Sequence, residues 1–288
     1  MRDLLESRQV SIYFAAVALA SLLAWRVPGT VALAPAIDPL LGFMLFVTFL
    51  QVPLMELRQG LANVRFLGAL LAANFVAVPV LVLALTLWLP ADPLLRTGVL
   101  LVLLAAQMLL LPLFLSLFLG EGAAGLMQWE PFLHAFVWLI AVPLALAAAC
   151  QAWAARSRSG QRVARALGLL PVPATAAVLF VVVAAVAPQL GLALGAVRAV
   201  VPVYVAFAVA APLLGWAVAC GWRLPAGQGR AVAFSSATRN SLVVLPLGLA
   251  IPGAVPLIPA VIVAQTLVEL VGELIYVKLL PRLGPRAE

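Results

Sequence analysis

An all-α, polytopic membrane protein is the fold class this sequence predicts, on three observations. Of its 288 residues, 66% are hydrophobic and 9% charged, against about 25% charged in a soluble domain. Apolar runs recur from end to end, each near the roughly 20 residues that a bilayer span needs. The cations collect in the short gaps between those runs, as they do in loops facing the cytoplasm.

Nine segments follow in order, at about 10–27, 37–55, 66–89, 95–119, 131–153, 171–190, 197–220, 230–251 and 254–280. They are too long for barrel strands, lack sustained alternation and are rich in Leu and Ala, so helices are expected. The first follows Arg2 and Arg8 as a signal peptide would. No small-x-small cleavage site closes it, and Trp25-Arg26 reads as an interface anchor, so it is expected to be a retained span. Trp25, Trp88, Trp129, Trp153 and Trp222 fall near segment ends, where an aromatic belt sits. One transmembrane domain over residues 1–288 leaves no room for a sizeable soluble part. Multi-pass insertion in the cell's inner (plasma) membrane is the expected localisation, with the lipid bilayer as the main partner.

The net charge of +7 would suit nucleic acid, but its placement in the gaps makes orientation the better reading, and no nucleic-acid partner is expected. Arg58 and Arg65 follow segment two, and Arg156, Arg158, Arg162 and Arg165 crowd the gap after segment five. Arg223 and Arg230 precede or open segment eight, and Lys278, Arg282 and Arg286 close the chain. Threading from a cytoplasmic N-terminus and back from a cytoplasmic C-terminus gives a conflict at segment 95–119. It would have to begin and end outside, and 25 residues cannot cross twice. If all nine segments span, the termini lie on opposite sides.

Several features carry little chemistry. Cys150 and Cys220 lie inside apolar runs at no metal or disulfide spacing and are expected to be buried and inert. His134 stands alone and reads as a packing or interface residue. Gly191 and Gly195 have a small-xxx-small spacing that suggests close helix packing. There is no phosphate-cradling Gly-rich loop with a Lys, no Ser-His-Asp set and no metal-ligand constellation. An enzyme is not expected, nor are a cofactor or a metal.

The polar exceptions sit in the last two segments. Ser235, Ser236, Thr238, Arg239, Asn240 and Ser241 interrupt segment eight, followed by Pro246. An arginine at mid-membrane costs several kcal/mol and usually faces a cavity or pathway. Reading 231–241 as a loop would leave about ten residues to span, too few. A broken helix with a polar site at membrane depth is therefore expected. In segment nine, Gln265, Glu269 and Glu273 are spaced by four and share one helix face. They suggest a proton relay, a cation site or partners for Arg239. Glu273 lies near Lys278, where simple solvation would also account for it.

The run GRAVAFSSATRNSLVVLPLGLAIPG, beginning at Gly229, resembles the ninth helix of the bile acid:sodium symporter and arsenical permease superfamily. AQTLVELVGELIYVKLLPRL, beginning at Ala264, resembles its tenth helix in the arsenical-resistance branch. The resemblance implies ten helices in two inverted five-helix repeats, the first over about 1–120 and the second over about 121–288. It also implies a panel domain beside a core domain with two crossing discontinuous helices, the fourth and ninth. The present chain then reads as a nine-helix remnant. Leu100–Ala106 runs almost directly into Gln107–Leu119, so a fourth helix with its functional Cys, roughly thirty residues with its loop, is missing. At the family's sodium-binding Glu and Gln of the ninth helix stand Ser235 and Arg239. A fixed positive charge replaces a cation ligand there, against sodium coupling.

The resemblance thus implies a secondary transporter of the arsenical-resistance type, exporting arsenite or a similar small anionic or oxyanion solute, with protons or sodium as candidate coupling ions. The implied site is Ser235, Thr238, Arg239, Asn240, Ser241, Gln265 and Glu269, with Glu269 as proton carrier or counter-charge. The alternatives are a sodium-coupled organic anion symporter of the bile acid type and a transport-inactive membrane paralogue. With no crossing partner, run 235–241 is expected either to straighten or to be covered by 95–119 and 254–280, and efflux to be weak.

Overall fold

The computed structural model describes residues 5, 7–27, 29–52, 63–107, 110, 113–114, 117–118, 129–190, 193–239, 241–251 and 255–284. Among them the fold is helical throughout, with no strand. Seven helices are long and apolar enough to cross a membrane, and the chain is a multi-pass membrane protein. It divides into two compact units, each drawn from both halves of the sequence.

Unit one comprises residues 1–58 and 133–191. Helix α1, Gln9–Arg26, packs on a later span, α7, Pro171–Leu190. Only 6% of α1 is buried, and Leu19, Leu22 and Trp25 are exposed. Such a surface needs lipid as its solvent. After Gly29, whose φ of 92° only glycine adopts without strain, a 3-10 turn Thr30–Ala36 leads into α2, Ile37–Phe49. Helix α5, Leu133–Arg156, packs against α2. Its Gln151 Nε2 donates to the carbonyls of Phe49, Leu50 and Val52 at 3.4, 3.1 and 2.9 Å. Those are carbonyls that the end of α2 leaves without helical partners.

The gap after segment five is not a loop. Ser157 caps a second helix, α6, Arg158–Leu167, by accepting from the Gly160 amide at 3.0 Å. Gly160 is required there, because a Cβ would lie 2.8 Å from the Trp153 and Ala154 backbone. Arg158, Arg162 and Arg165 are all exposed on α6.

Unit two comprises residues 59–132 and 192–288. Helix α3, Val64–Thr86, widens into a π turn at Ala73–Ala77. Pro79 accounts for this, since a proline within a helix lacks its amide and crowds the preceding turn. Asp92 caps α4, Pro93–Leu103, through its Oδ1 to the amides of Leu94 and Leu95 at 2.9 and 3.3 Å. Helix α4 is buried from Leu95 through Leu103 apart from Arg96. It packs on α11, Leu257–Leu279.

The expectation of one long helix over 95–119 is corrected here: the helix stops at Leu103. Leu104 turns away at φ −105°, ψ 17°, and a 3-10 turn covers Ala105–Gln107. Eleven residues rise only about 16 Å, half of a hydrocarbon core of about 30 Å. Pro112 and residues 120–128 lie outside the described residues.

Helix α8, Leu194–Gly221, runs back along α9, Ala226–Ala237. Their turn holds Arg223 at φ 53°. The pair is close because small residues line it: a Cβ on Gly215 would sit 2.5 Å from Ser236 Oγ, and one on Gly229 2.8 Å from Trp216. At Gly195 a Cβ would meet nothing within 4 Å, so the small-residue spacing there marks no close packing; Gly191 lies outside the described residues. The cysteines also differ from expectation, Cys220 being exposed and Cys150 half-buried. His134 is exposed, with its ring 6.2 Å from that of Trp138.

Candidate functional site

Segment eight is broken. Helix α9 ends at Ala237, and Thr238 is extended at φ −96°, ψ 138°. The chain then forms a 3-10 turn, Ser241–Val244, and restarts as α10, Leu245–Ala250, with Pro246 in its first turn. The local reason is legible. Ser, Thr and Asn side chains compete for backbone groups, and proline suits a helix start. Thr238 Oγ1 donates to Phe234 O at 3.1 Å and Ser236 Oγ to Val232 O at 2.9 Å.

Arg239 stands in the break and is 2% exposed. Its Nε donates to Leu103 O at 3.1 Å. Its Nη1 donates to Ser235 O at 2.8 Å, Thr238 O at 2.9 Å and Asn74 Oδ1 at 3.1 Å. Leu103 is the last residue of α4, and Ser235 and Thr238 belong to the last turn and cap of α9. The guanidinium therefore bridges the carbonyl ends of two half-helices, where helix dipoles favour a cation. The ring of Phe207 lies 5.7 Å from its central carbon.

The end of α4 packs against the turn 241–244, and so does the turn 105–107. Among the described residues, run 235–241 is not one continuous helix, and residues of 95–107 and of 257–279 pack on it, one of the two arrangements the sequence suggested. From α11, the Glu269 carboxylate accepts the Arg239 backbone amide. Ser241 Oγ and Thr266 Oγ1 share a hydrogen bond of 2.9 Å. Gln265 lies one helical turn before Glu269 and is buried. Glu269 binds the backbone of Arg239, while the guanidinium bonds carbonyls and an amide. Asn240 lies outside the described residues.

Two residues escaped the sequence reading. Asn74 sits in the π turn of α3, with its Nδ2 donating to Leu70 O at 3.0 Å and Ser235 Oγ at 3.3 Å. Gln107 Nε2 donates to the main-chain oxygen of Asn74. The π register explains this second bond. Val78 N reaches back to Ala73 O, so Asn74 O would need the amide of residue 79, which is proline. Gln107 fills the vacancy that Pro79 creates. The available signal was a lone amide side chain in each of two apolar runs.

Three buried polar atoms on these elements have no hydrogen-bond partner: Nη2 of Arg239, Oε1 of Gln107 and Oε1 of Gln265. One is a donor and two are acceptors. Among the described residues no group of three or more His, Cys, Asp or Glu could hold a metal ion. The chemistry on hand is that of a guanidinium, a carboxylate, amides and hydroxyls.

The chain matches no known family model, and no characterised protein matches its sequence.

Proposed function

We propose that the chain is a secondary transporter that exports a small hydroxylated oxyanion such as arsenite, linked to protons. The observation that carries this reading is the break in segment eight, with Arg239 buried at half-helix ends beside Glu269. Irregular backbone at membrane depth is tolerated where it is covered by protein or lines a cavity, and transporters use it for solute and ion sites. The unpartnered atoms support the solute class. Gln107 Oε1, Gln265 Oε1 and Arg239 Nη2, two acceptors and one donor without partners, are of the kinds that the O–H groups and the oxygen of a partly protonated oxyanion would pair with. Ser241 and Thr266 add hydroxyl oxygens that can accept, their own protons going to Thr266 Oγ1 and Ile262 O. Both broken segments fall in one compact unit, the arrangement a core-and-panel transporter would have.

Glu269 is the proton carrier in this reading, because it is the carboxylate in contact with the break. Glu269→Gln keeps an oxygen for the Arg239 amide but removes the titratable charge. Expression in an arsenite-sensitive host, with intracellular arsenic measured, tests the function. Wild type should lower accumulated arsenic, Arg239→Ala should abolish that while the protein remains inserted, and Glu269→Gln should abolish it likewise. Arg239→Lys should recover part of it, since lysine keeps the charge but not the planar fork. Wild-type cells that accumulate as much arsenic as empty-vector cells would sink the reading.

A further inference from the structure

We infer that helix α6 is a docking site for anionic phospholipid headgroups, held in the headgroup layer with a stripe of arginines turned outward. The inference goes beyond the transport reading and does not depend on it.

The helix cannot leave the level at which its neighbours end. Helix α5 is one of the spans and stops at Arg156, and Ser157 alone, extended at φ −147°, ψ 145°, joins it to Arg158. At the other end, Gly168, Leu169 and Leu170 join Leu167 to the span α7 at Pro171. Gln51 Nε2, just beyond the end of α2, donates to Gly168 O at 3.2 Å. A helix of ten residues is about 15 Å long, and one pinned at both ends to the ends of spans lies along the membrane surface. Gly160 sits directly on the backbone of Trp153 and Ala154, so α6 turns off α5 instead of extending it into water. Trp153 is exposed and has the place of an interface anchor.

The faces of α6 are sorted. Gly160, Ala164 and Leu167 are buried or half-buried and form its inward face. Arg158, Arg162 and Arg165 follow at i, i+4 and i+7 and are exposed, so they share one stripe about 10 Å long on the opposite face. Val163, exposed as well, lies beside the stripe. Cations on one face with apolar groups at its edge are the pattern of an interfacial helix.

The protein supplies no counter-charge to this stripe. No Asp or Glu occurs from residue 131 to residue 268. Among the described residues of unit one the acidic side chain is Asp38, in the first turn of α2, at the other end of that helix from Gln51 and Gly168. Arg165 Nε donates to the Gln161 carbonyl at 3.3 Å, which leaves its terminal nitrogens free to face outward. Guanidinium groups match phosphate oxygens in geometry as well as charge. Cationic stretches stay on the cytoplasmic side, where the leaflet carries anionic lipid that draws basic segments to it. A soluble anion would satisfy the arginines but not Trp153 and Val163, whose apolar surface fits the edge of the acyl layer.

Native mass spectrometry of the purified full chain, with phosphatidylglycerol and phosphatidylcholine supplied in equal amounts, counts the lipids retained. Wild type should retain phosphatidylglycerol over phosphatidylcholine by about tenfold or more. Arg158→Gln, Arg162→Gln and Arg165→Gln together should bring that ratio close to unity. The same three positions changed to Lys should keep most of it, since lysine keeps the charge. Arg65→Gln, Lys278→Gln and Arg282→Gln together, which remove three exposed cations of unit two, should leave it unchanged. Glycerol phosphate or polyglutamate at the concentration of the lipid should not displace phosphatidylglycerol. Wild type without a preference would overturn the proposal, as would a unit-two variant that loses as much as the α6 variant. Displacement by glycerol phosphate or polyglutamate would also overturn it, and would assign the stripe to a soluble anion. If the triple α6 variant fails to insert, Arg162→Gln alone decides: the ratio should fall about fivefold, and an unchanged ratio would refute the site.

Discussion

At the scale of single residues, Asn74 is the hub. It accepts from Arg239, donates to Leu70 and Ser235, and its backbone oxygen takes the Gln107 amide. Asn74→Leu keeps the volume roughly but removes one of the three acceptors around Arg239 Nη1 and leaves the Gln107-anchored turn without the amide that ties Leu70 O to the Ser235 hydroxyl. Leaving buried polar groups unpaired costs about 1–3 kcal/mol, more beside a charge. The variant should melt several degrees below wild type and lose transport, whereas Asn74→Asp should retain the acceptor for Arg239 and melt closer to wild type. Differential scanning fluorimetry in detergent would separate the two, and equal melting of both would show that the hydrogen bond to Arg239 contributes little. Pro79 tests the same hub from the backbone. Pro79→Ala supplies the amide that Asn74 O lacks, so Gln107 should lose its partner. The 3-10 turn at Ala105–Gln107 should then exchange its amide hydrogens faster.

At the scale of elements, the broken helices depend on how closely their neighbours approach. The α8–α9 pair is closest at Gly215, where a Cβ would meet Ser236 Oγ at 2.5 Å and Ala233 Cα at 3.0 Å. Overpacking of this kind costs about 1–3 kcal/mol. Gly215→Val should therefore lower the melting midpoint and shift α9, with Ser235 and Arg239 behind it. Unchanged stability and transport would show that the two helices can slide apart freely. Helix α6 has a different task. Its exposed Arg158, Arg162 and Arg165, with Arg156 before it, form the densest cationic stretch of the chain, and such stretches stay cytoplasmic. Replacing the three by Glu should lower the fraction of correctly inserted protein, read by glycosylation or cysteine-labelling tags placed in α6. Insertion at wild-type level would assign orientation to the other Arg-bearing gaps.

Across the whole molecule, the short α4 resolves a contradiction left by the charges. Nine spanning segments would place the termini on opposite sides and split the Arg-rich gaps between them. An 11-residue helix does not reach across a bilayer. With segment four counted as non-crossing and the broken segment eight, helix and turn together, as one crossing beside the seven long helices, the number of crossings is even. Arg65, the α6 cluster, Arg223, Arg230 and Lys278 then all fall on the side of the N-terminus. Both termini are accordingly predicted to be cytoplasmic, against the expectation from nine spans. Reporter fusions after Arg8 and after Arg282 check this, and opposite readings would mean that segment four crosses after all.

The sequence by itself determined where lipid must be the solvent, because seven runs are too apolar and too long for anything else. It also marked where segment eight could break, while leaving a straightened run 235–241 open. Ser235 through Ser241 and Pro246 carry local backbone preferences, and an arginine in an apolar run has few tolerable surroundings. The face of Glu269 followed from helical periodicity alone. The end of α4 did not follow, because Leu100 through Ala106 contain no glycine, proline or polar residue to stop a helix. What stops it is on other elements: Arg239 takes the Leu103 carbonyl, and Gln107 reaches across to Asn74. Asn74 stood out only as a lone amide in an apolar run, and its partners could not be read, since its role depends on a π register that Pro79 and tertiary contact produce together. Local propensity acts over a few residues and can be read from them. A hydrogen bond between residues 136 positions apart, as between Arg239 and Leu103, exists only once the chain has packed, and it was that packing that decided which carbonyls the buried charge would satisfy.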